Sequence, residues 1–275
     1  MSIGAIFINK KLKGNKTMKK KFKDMIFVKG GKYKPCFTDD EKEIYDLEVC
    51  RYLTTQKMWL EVMDYNPSKF EGPYKPVDSV TWWEALEFCN KLSEKYNLEP
   101  VYDLSKKGTL LINQLDGEKI SPDIADFKKT EGFRLPTEVE WEWFAKGGQV
   151  AIDKGTFDYK YSGSDNVDEV AWYDKISNGE TQNVGTKNPN QLGLYDCSGN
   201  IWEMCYDTAE DEFIPDGNLY IYEDTDSTIP TRRIRGGSWA NFDFCSSIDS
   251  SCFERWDNKS TNGCEIIGFR IVRTI

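Results

Sequence analysis

The side chains that could perform chemistry in this chain are thiols and carboxylates, because it contains eight cysteines and no histidine. Without an imidazole, Ser-His-Asp and Cys-His nucleophile systems are excluded, and so are zinc and iron sites held by histidine. No two cysteines have the C-x-x-C spacing; they lie at positions 36, 50, 89, 197, 205, 245, 252 and 264. So sparse a set predicts buried thiols with at most a few disulfides. An enzyme built on this sequence would have to work with Cys, Asp, Glu, Lys or Tyr.

The stretch between Trp239 and Gly268 differs in character from both of its flanks. It follows the run Arg235-Gly236-Gly237-Ser238-Trp239 and precedes Gly268-Phe269-Arg270. Residues 240–253 mix Phe, Ile and Cys with Ser, Asp and Asn, and they keep neither the helical nor the strand period. Fixed ends around an unpatterned middle indicate a surface held in shape by its flanks. We therefore expect the function to lie there.

Composition limits the partners and the organisation of the chain. At 275 residues it could form one large domain or two small ones, and we predict one domain over 25–275 after a flexible extension over 1–24. The net charge of −10 argues against nucleic acid as a partner. No segment is apolar for long enough to cross a membrane, and the sequence as given shows no export signal. The oligomeric state is left open.

Strand and helix signals are concentrated in the first half of the sequence. The short apolar run that begins at Met25 ends at the glycine pair Gly30-Gly31 and predicts a strand and a turn, with residues 45–52 as the partner strand. Helices are predicted from Thr54 to Met63 and over residues 82–96. Residues 101–130 suggest a hairpin and a polar loop.

A third helix is predicted after Leu135-Pro136. Thr137 is its N-cap and Glu140 the reciprocal partner of a capping box. Gly147-Gly148 is expected to end it, and the chain from residue 150 onward indicates only short strands and loops.

The ordered motifs resemble the formylglycine-generating enzyme, or sulfatase-modifying factor, family. The matching segments cover roughly residues 25–275 and are 27–31, 76–82, 133–142, 193–203, 235–239 and 268–270. The resemblance implies an α+β, C-type lectin-like fold of the formylglycine-generating-enzyme type, with little regular secondary structure and a few helices packed on short antiparallel strands.

The resemblance also implies a test for enzymatic activity. Family enzymes use copper and two cysteines, the first two residues after the aromatic of the Gly-Gly-Ser-aromatic motif and the second five residues later. Those positions are Asn241 and Ser246 here. Cys245 is adjacent to the second position, but the first has no substitute, and a thiolate site that lacks a ligand holds a soft ion poorly. We therefore expect no oxidase activity. In the alternative, the protein is an oxidase in which Cys245 and Cys252 form a shifted thiol pair.

A structural calcium ion is implied around the Gly-Asn-x-Trp-Glu motif. The matching positions are Asp196 and Glu203 through side chains, and Gly199 and Ile201 through carbonyls. Carboxylate and carbonyl oxygens suit a hard cation. In the alternative, Asp196 caps a turn and Glu203 pairs with an arginine such as Arg270. No cofactor is otherwise expected.

The chain is most similar to a non-enzymatic branch of this family, the variable proteins of diversity-generating retroelements. In that branch the segment between the two motif ends is diversified and binds ligands. Residues 240–253 all belong to the types that diversified Asn codons yield. We expect residues 240–266 to bind a protein or another macromolecular ligand, through Asn241, Phe242, Asp243, Phe244, Ile248, Asp249, Phe253, Trp256, Asp257 and Asn258.

Two consequences of the binding hypothesis can be checked in a structure or by mutation. Trp239, Trp202, Phe269 and Arg235 should be buried anchors. Alanine at Phe242, Phe244 and Trp256 should abolish ligand capture and leave folding largely intact. A displayed binder would be expected at the cell surface if a leader precedes this sequence. A paralogue with one fixed protein partner and no diversification is the remaining alternative.

Overall fold

Regular structure is short and scattered along the chain. The computed structural model describes residues 22–102, 104, 131–208, 231–240, 252, 255–259 and 263–275, with the backbone alone described at 208, 231 and 255–259. The helices are α1 Gln56–Leu60, α2 Trp82–Lys95, α3 Glu138–Ala145, α4 Gly148–Lys154 and α5 Val167–Val170. The strands are β1 Met25–Val28, β2 Gly31–Tyr33, β3 Lys42–Ile44, β4 Leu47–Cys50, β5 Trp202–Thr208, β6 Thr231–Arg235, β7 Arg255–Lys259, β8 Ile267–Gly268 and β9 Val272–Thr274. This mixture confirms the predicted α+β class.

The strands of the described part form three small sheets. The first has the order β1-β4-β9 and joins the beginning of the chain to its end, and β2 pairs with β3. The third has the order β7-β6-β5-β8, with β5 and β8 parallel and the other pairs antiparallel. The predicted pairing of residues 25–28 with residues 45–52 is confirmed, with Phe27 opposite Glu48.

The helix starts follow from local capping. Thr137 accepts the backbone N–H of Glu140, and the Glu140 carboxylate accepts the backbone N–H of Thr137, so the predicted capping box is present. Thr81 and Glu84 form the same arrangement at the start of α2. Every residue of α3 is buried, which makes this short helix a central element of the core.

Three sequence-based boundaries differ from the structure. The helix predicted from Thr54 to Met63 is shorter in the structure and consists of α1 alone. The glycine pair after α3 connects this helix to α4 instead of ending the helical structure. Gly147 has a left-handed φ of 88° and lies at the N-cap of α4, whose C-cap is Gly155. This helix was not predicted. The supposed extension is packed at its end, since the Phe22 ring contacts Tyr96 and Phe133 edge-on.

Two aromatic-rich clusters form the core. The first surrounds α2 and includes the Trp59 and Phe88 rings, stacked at 5.3 Å between centroids, with Phe269 edge-on to both. The second surrounds α3 and includes Trp141 and Trp143. Such ring contacts stabilise a fold by about 0.5–1.5 kcal/mol each beyond the burial of their area.

No helix in the described ranges combines the length and apolarity that a membrane crossing requires.

Candidate functional site

The two ends of the 240–266 segment are held against each other. The Trp239 indole N–H donates to the carbonyl of Glu265 at 3.0 Å. The backbone N–H of Trp239 donates to the Asn200 carbonyl at 2.8 Å, and the Ser177 hydroxyl donates to the Trp239 carbonyl at 2.8 Å. The indole also meets the ring of Phe70 edge-on at 5.2 Å. These contacts join Trp239 to Glu265 and form the base of the segment.

The C-terminal end of the segment is attached to the turn before α2. The backbone N–H of Ser79 donates to the Cys264 carbonyl at 3.1 Å. At Gly263 a Cβ would lie only 2.3 Å from the Ser79 carbonyl oxygen, so this close approach requires glycine. The Lys69 ammonium and the Glu265 carboxylate form an ion pair at 2.9 Å.

The glycine pair before Trp239 makes the turn that leads into the segment. Gly236 and Gly237 have φ values of 97° and 77°, which side chains with a Cβ rarely adopt. The Gly236 carbonyl accepts the backbone N–H of Gly199 at 2.7 Å. The Gly-Gly-Ser-Trp motif and the Gly-Asn-x-Trp-Glu motif are therefore directly joined.

A buried charge cluster fixes the end of β6. The Arg235 guanidinium donates to Glu138 at 2.8 Å, to Glu142 at 2.9 Å and to the carbonyl of Cys252 at 2.7 Å. Burial by itself would lower the pKa of Arg235, but the attraction of Glu142 and Glu138 outweighs it and raises the pKa well above its ordinary value. Arg235 therefore stays charged and holds Cys252, within the predicted ligand-binding segment, against α3.

The proposed calcium ligands lie close together in sequence and are buried. Each carboxylate oxygen of Glu203 accepts a hydrogen bond from Arg270, at 2.9 and 2.8 Å. Asp196 accepts the backbone N–H of Gly185 at 2.7 Å through Oδ2, while its buried Oδ1 has no hydrogen-bond partner among the described residues. In the described part of the chain, no group of three or more acidic or cysteine side chains has the arrangement of a metal site.

Among the proposed ligands, Asp196 is therefore the side chain with an oxygen available for a hard cation. Its free oxygen could bind calcium, and the carbonyls of Gly199 and Ile201 could add to the set. The charge of Glu203 is already balanced by Arg270, so Glu203 would have to share its oxygens. Both features of the alternative, a turn-capping Asp196 and a paired Glu203, are present in the geometry, and the calcium site stays a prediction.

Most of the predicted ligand-binding residues lie outside the described residues. These are Asn241, Phe242, Asp243, Phe244, Ile248, Asp249 and Phe253. The other three belong to strand β7, at the edge of its sheet, where Trp256 is paired in register with Ile234, Asp257 with Arg233 and Asn258 with Arg232. Part of the predicted surface therefore has regular strand geometry, which the sequence pattern did not indicate.

The thiols of the described residues are all free. Cys252 is completely buried, and burial raises the pKa of its thiol to about 12. The thiol of Cys252 is therefore protonated near neutral pH. Its partner in the alternative thiol pair, Cys245, lies outside the described residues.

Of the four predicted anchors, Trp202, Phe269 and Arg235 are buried, whereas Trp239 is partly exposed. Trp239 differs because its ring packs against Phe70 and the carbonyl of Glu265 at the surface instead of entering either core cluster. Sequence reasoning also missed the residues that hold the base of the segment, namely Lys69, Phe70, Ser79 and Ser177. Their contacts with it are long-range, and no periodic or capping signal marks them.

Comparison with known proteins agrees with this architecture. Residues 12–275 match the family described as the sulfatase-modifying factor enzyme 1-like domain. Treponema denticola variable protein 1 superimposes with a TM-score of 0.70 at 31% identity, covering 91% of this chain and 95% of that one. The chaperone protein LppX of Paenibacillus barcinonensis is 37% identical over 238 residues, 79% of each chain.

Similarity to the enzymes themselves is lower. The formylglycine-generating enzyme of Streptomyces coelicolor is 26% identical over 163 residues, which are 54% of this chain and 49% of the enzyme. The family match spans nearly the whole sequence and includes every motif that builds the base of the 240–266 segment. The chain therefore belongs to the sulfatase-modifying factor enzyme 1-like domain family.

Proposed function

We propose that this protein is a non-enzymatic binding protein that displays residues 240–266 as a diversified recognition surface. The observation that carries the proposal is the likeness to Treponema denticola variable protein 1, at 31% identity over 91% of the chain. A variable protein needs a scaffold that does not depend on the sequence of its displayed segment. The partner would be a protein or another macromolecule.

The base of the segment supports this proposal. Its ends are joined by the hydrogen bond from Trp239 to the Glu265 carbonyl, and both ends are attached to other parts of the chain. Ordering a loop costs about 1–2 kcal/mol per residue. A base formed by the scaffold reduces the part of this cost that ligand binding must supply. Sequence changes outside Cys252 and strand β7 could then be carried without loss of the fold.

The buried state of Cys252 supports the absence of oxidase chemistry. A copper–thiolate enzyme needs two sulfurs that converge on one ion, and the sequence has Asn241 and Ser246 at the family's cysteine positions. We expect the purified protein to take up no stoichiometric copper(I) and to leave the cysteine of a sulfatase-derived peptide unoxidised. Formation of the aldehyde product would support the enzyme alternative.

Sequencing tests diversification directly. We would read the coding region of residues 235–270 and a few kilobases downstream in many cells of the source strain. We expect differences confined to codons between Trp239 and Gly268, at adenines matched in a nearby template repeat. An invariant segment with no template would overturn the proposal that this surface is diversified.

Alanine variants test the surface once a ligand is known. A Phe242→Ala/Phe244→Ala variant should lose ligand capture and keep the unfolding midpoint of the parent. Trp256→Ala is measured separately because Trp256 lies on strand β7. Tyr74, which is 59% exposed and belongs to a distant part of the sequence, offers a matched aromatic control. Loss of the fold in each segment variant would contradict a display role.

A second candidate is a binding protein with one fixed client. It is favoured by the 37% identity to chaperone protein LppX over 79% of both chains. It predicts an invariant 240–266 segment and suppression of aggregation when a client refolds beside the protein. The sequencing experiment separates the two candidates, because only the first requires variation.

A further inference from the structure

A single buried carboxylate connects the two attachments at the C-terminal end of the 240–266 segment. Asp78 is fully buried, and its Oδ1 accepts the backbone N–H of Lys69 at 2.9 Å and the hydroxyl of Ser79 at 2.8 Å. Its backbone N–H donates to the Ser68 hydroxyl at 3.1 Å. The other oxygen, Oδ2, has no hydrogen-bond partner among the described residues. Burying an ionised carboxylate that has an oxygen without a hydrogen bond is destabilising. Burial therefore favours the protonated form of Asp78.

The residues that Asp78 holds are those that contact the segment. Ser79 has a φ of 60°, an unfavourable value for a residue with a Cβ, and it donates its backbone N–H to the Cys264 carbonyl. Lys69 forms the ion pair with Glu265. Asp78 thus stabilises both the strained turn and the loop that secure residues 263–265.

We propose that Asp78 is a proton-sensitive latch, tightening the attachment of residues 263–265 when it is protonated and loosening it when it is ionised. Its biological use rests on the proposed display function, because the latch would set how freely the segment adapts to a ligand. The existence of the latch does not rest on the display function, since the latch can be measured on the protein alone.

The charges around Asp78 define the pH window. Burial raises the pKa of Asp78 from 3.8 to about 6, against the hydrogen bonds from Lys69 and Ser79 that lower it, with Glu265 adding to the rise and the Lys69 ammonium opposing it. The hydrogen bond from Lys69 lowers the pKa of Glu265, and burial raises the pKa of the Cys264 thiol. Glu265 therefore stays ionised and Cys264 neutral while Asp78 titrates.

The direction of the effect follows from proton linkage. The latched state has the higher carboxyl pKa and therefore binds the proton more tightly than an opened state in which Asp78 is hydrated. Latching is strongest below the ordinary pKa of 3.8 and weakens as the pH rises to about 6. Above that pH, Asp78 is ionised in both states and the tightening by its proton is completely lost. The difference between the two pKa values corresponds to about a hundredfold change in the opening equilibrium.

Amide hydrogen exchange followed by NMR tests the latch. The reporters are the N–H groups of Lys69 and Ser79, which donate to Asp78 and to Cys264. After correction for intrinsic exchange, we expect their opening constants to rise by up to about a hundredfold between about pH 4 and pH 7. Asp78→Asn keeps the acceptor oxygen without the charge and should remove this dependence. Asp153→Asn, at an exposed carboxyl of α4 outside the site, is the control and should leave the dependence in place.

The latch is overturned if Lys69 and Ser79 open equally at both ends of the range, or if Asp78→Asn retains the slope. Should that variant fail to fold, a carbon-detected titration of the Asp78 carboxyl in the unmodified protein decides instead. A midpoint near the ordinary value would refute the proposal, and a midpoint near 6 would support it. None of these measurements uses a ligand, so an invariant segment would remove the display function and leave the latch intact.

Discussion

At the level of single residues, Arg235 forms two buried ion pairs at the end of β6. It is completely buried between the carboxylates of Glu138 and Glu142. Arg235→Ala would leave Glu142 in the interior without its cation and Glu138 with only the more distant Arg233, at 3.9 Å, which costs about 3–5 kcal/mol. We expect the free energy of unfolding, measured in urea, to fall by that amount. Lys91→Ala, which breaks the exposed pair with Glu87, is the control and should change it by less than about 1 kcal/mol.

The calcium prediction also depends on one residue, Asp196. Burial outweighs the Gly185 N–H and the Arg270 charge and raises the pKa of Asp196 to about 6, which marks a carboxylate short of positive charge. A cation at its free Oδ1 would stabilise the folded state by linkage. We expect excess calcium to raise the melting temperature relative to EDTA, and Asp196→Asn to abolish the difference. Equal melting temperatures with and without calcium would leave Asp196 as a turn cap.

At the level of elements, α3 shows how a local signal sets a buried helix. Thr137 accepts the N–H of Glu140, and Glu140 also pairs with Arg134 through two hydrogen bonds of 2.7 and 2.8 Å. Thr137→Ala removes one cap interaction and should destabilise the protein by about 1 kcal/mol in chemical denaturation. Thr137→Ser keeps the hydroxyl and should lose much less. Equal losses in the two variants would assign the effect to the methyl group rather than to the cap.

Among the strands, β6 matters most for the site. It pairs with β5, which begins in the Gly-Asn-x-Trp-Glu motif, and with β7, which carries three of the predicted ligand residues. The strand itself ends in Arg235 and the glycine turn. Changes within residues 256–258, which belong to this sheet, are therefore expected to affect stability.

At the level of the whole molecule, the arrangement of cysteines predicts selective reactivity. The described thiols are free; Cys36 is exposed, Cys264 is half-buried and the other five are buried. Although Cys36 as a whole residue is exposed, its thiol donates to the Glu142 carboxylate at 3.0 Å, and partial desolvation of the thiol together with this neighbouring charge raises the pKa of Cys36 to about 12. Mass-spectrometric mapping after brief alkylation at about pH 8 should therefore find Cys264 modified before Cys36. The buried thiols should react only after denaturation, and early labelling of Cys252 would contradict its place in the core.

The sequence by itself determined the features that depend on neighbours along the chain. The capping box of α3 and each family motif consist of residues a few positions apart, and the β1–β4 pairing is inferred from two separate strand signals up to 25 residues apart. These led to the correct fold class. No local signal marks α4, because a glycine pair that ends one helix can equally begin the next when a left-handed glycine joins them.

Only the tertiary structure decided how the candidate site is held together. Lys69 and Glu265 are 196 residues apart, and Trp239 and Glu265 are 26 residues apart. No periodic pattern records such contacts. The same holds for Asp78, whose role depends on burial and on the Ser79 turn. A pairing between distant segments is fixed by the free energy of the whole packed chain, so it becomes visible only when the core and the sheets have brought those segments together.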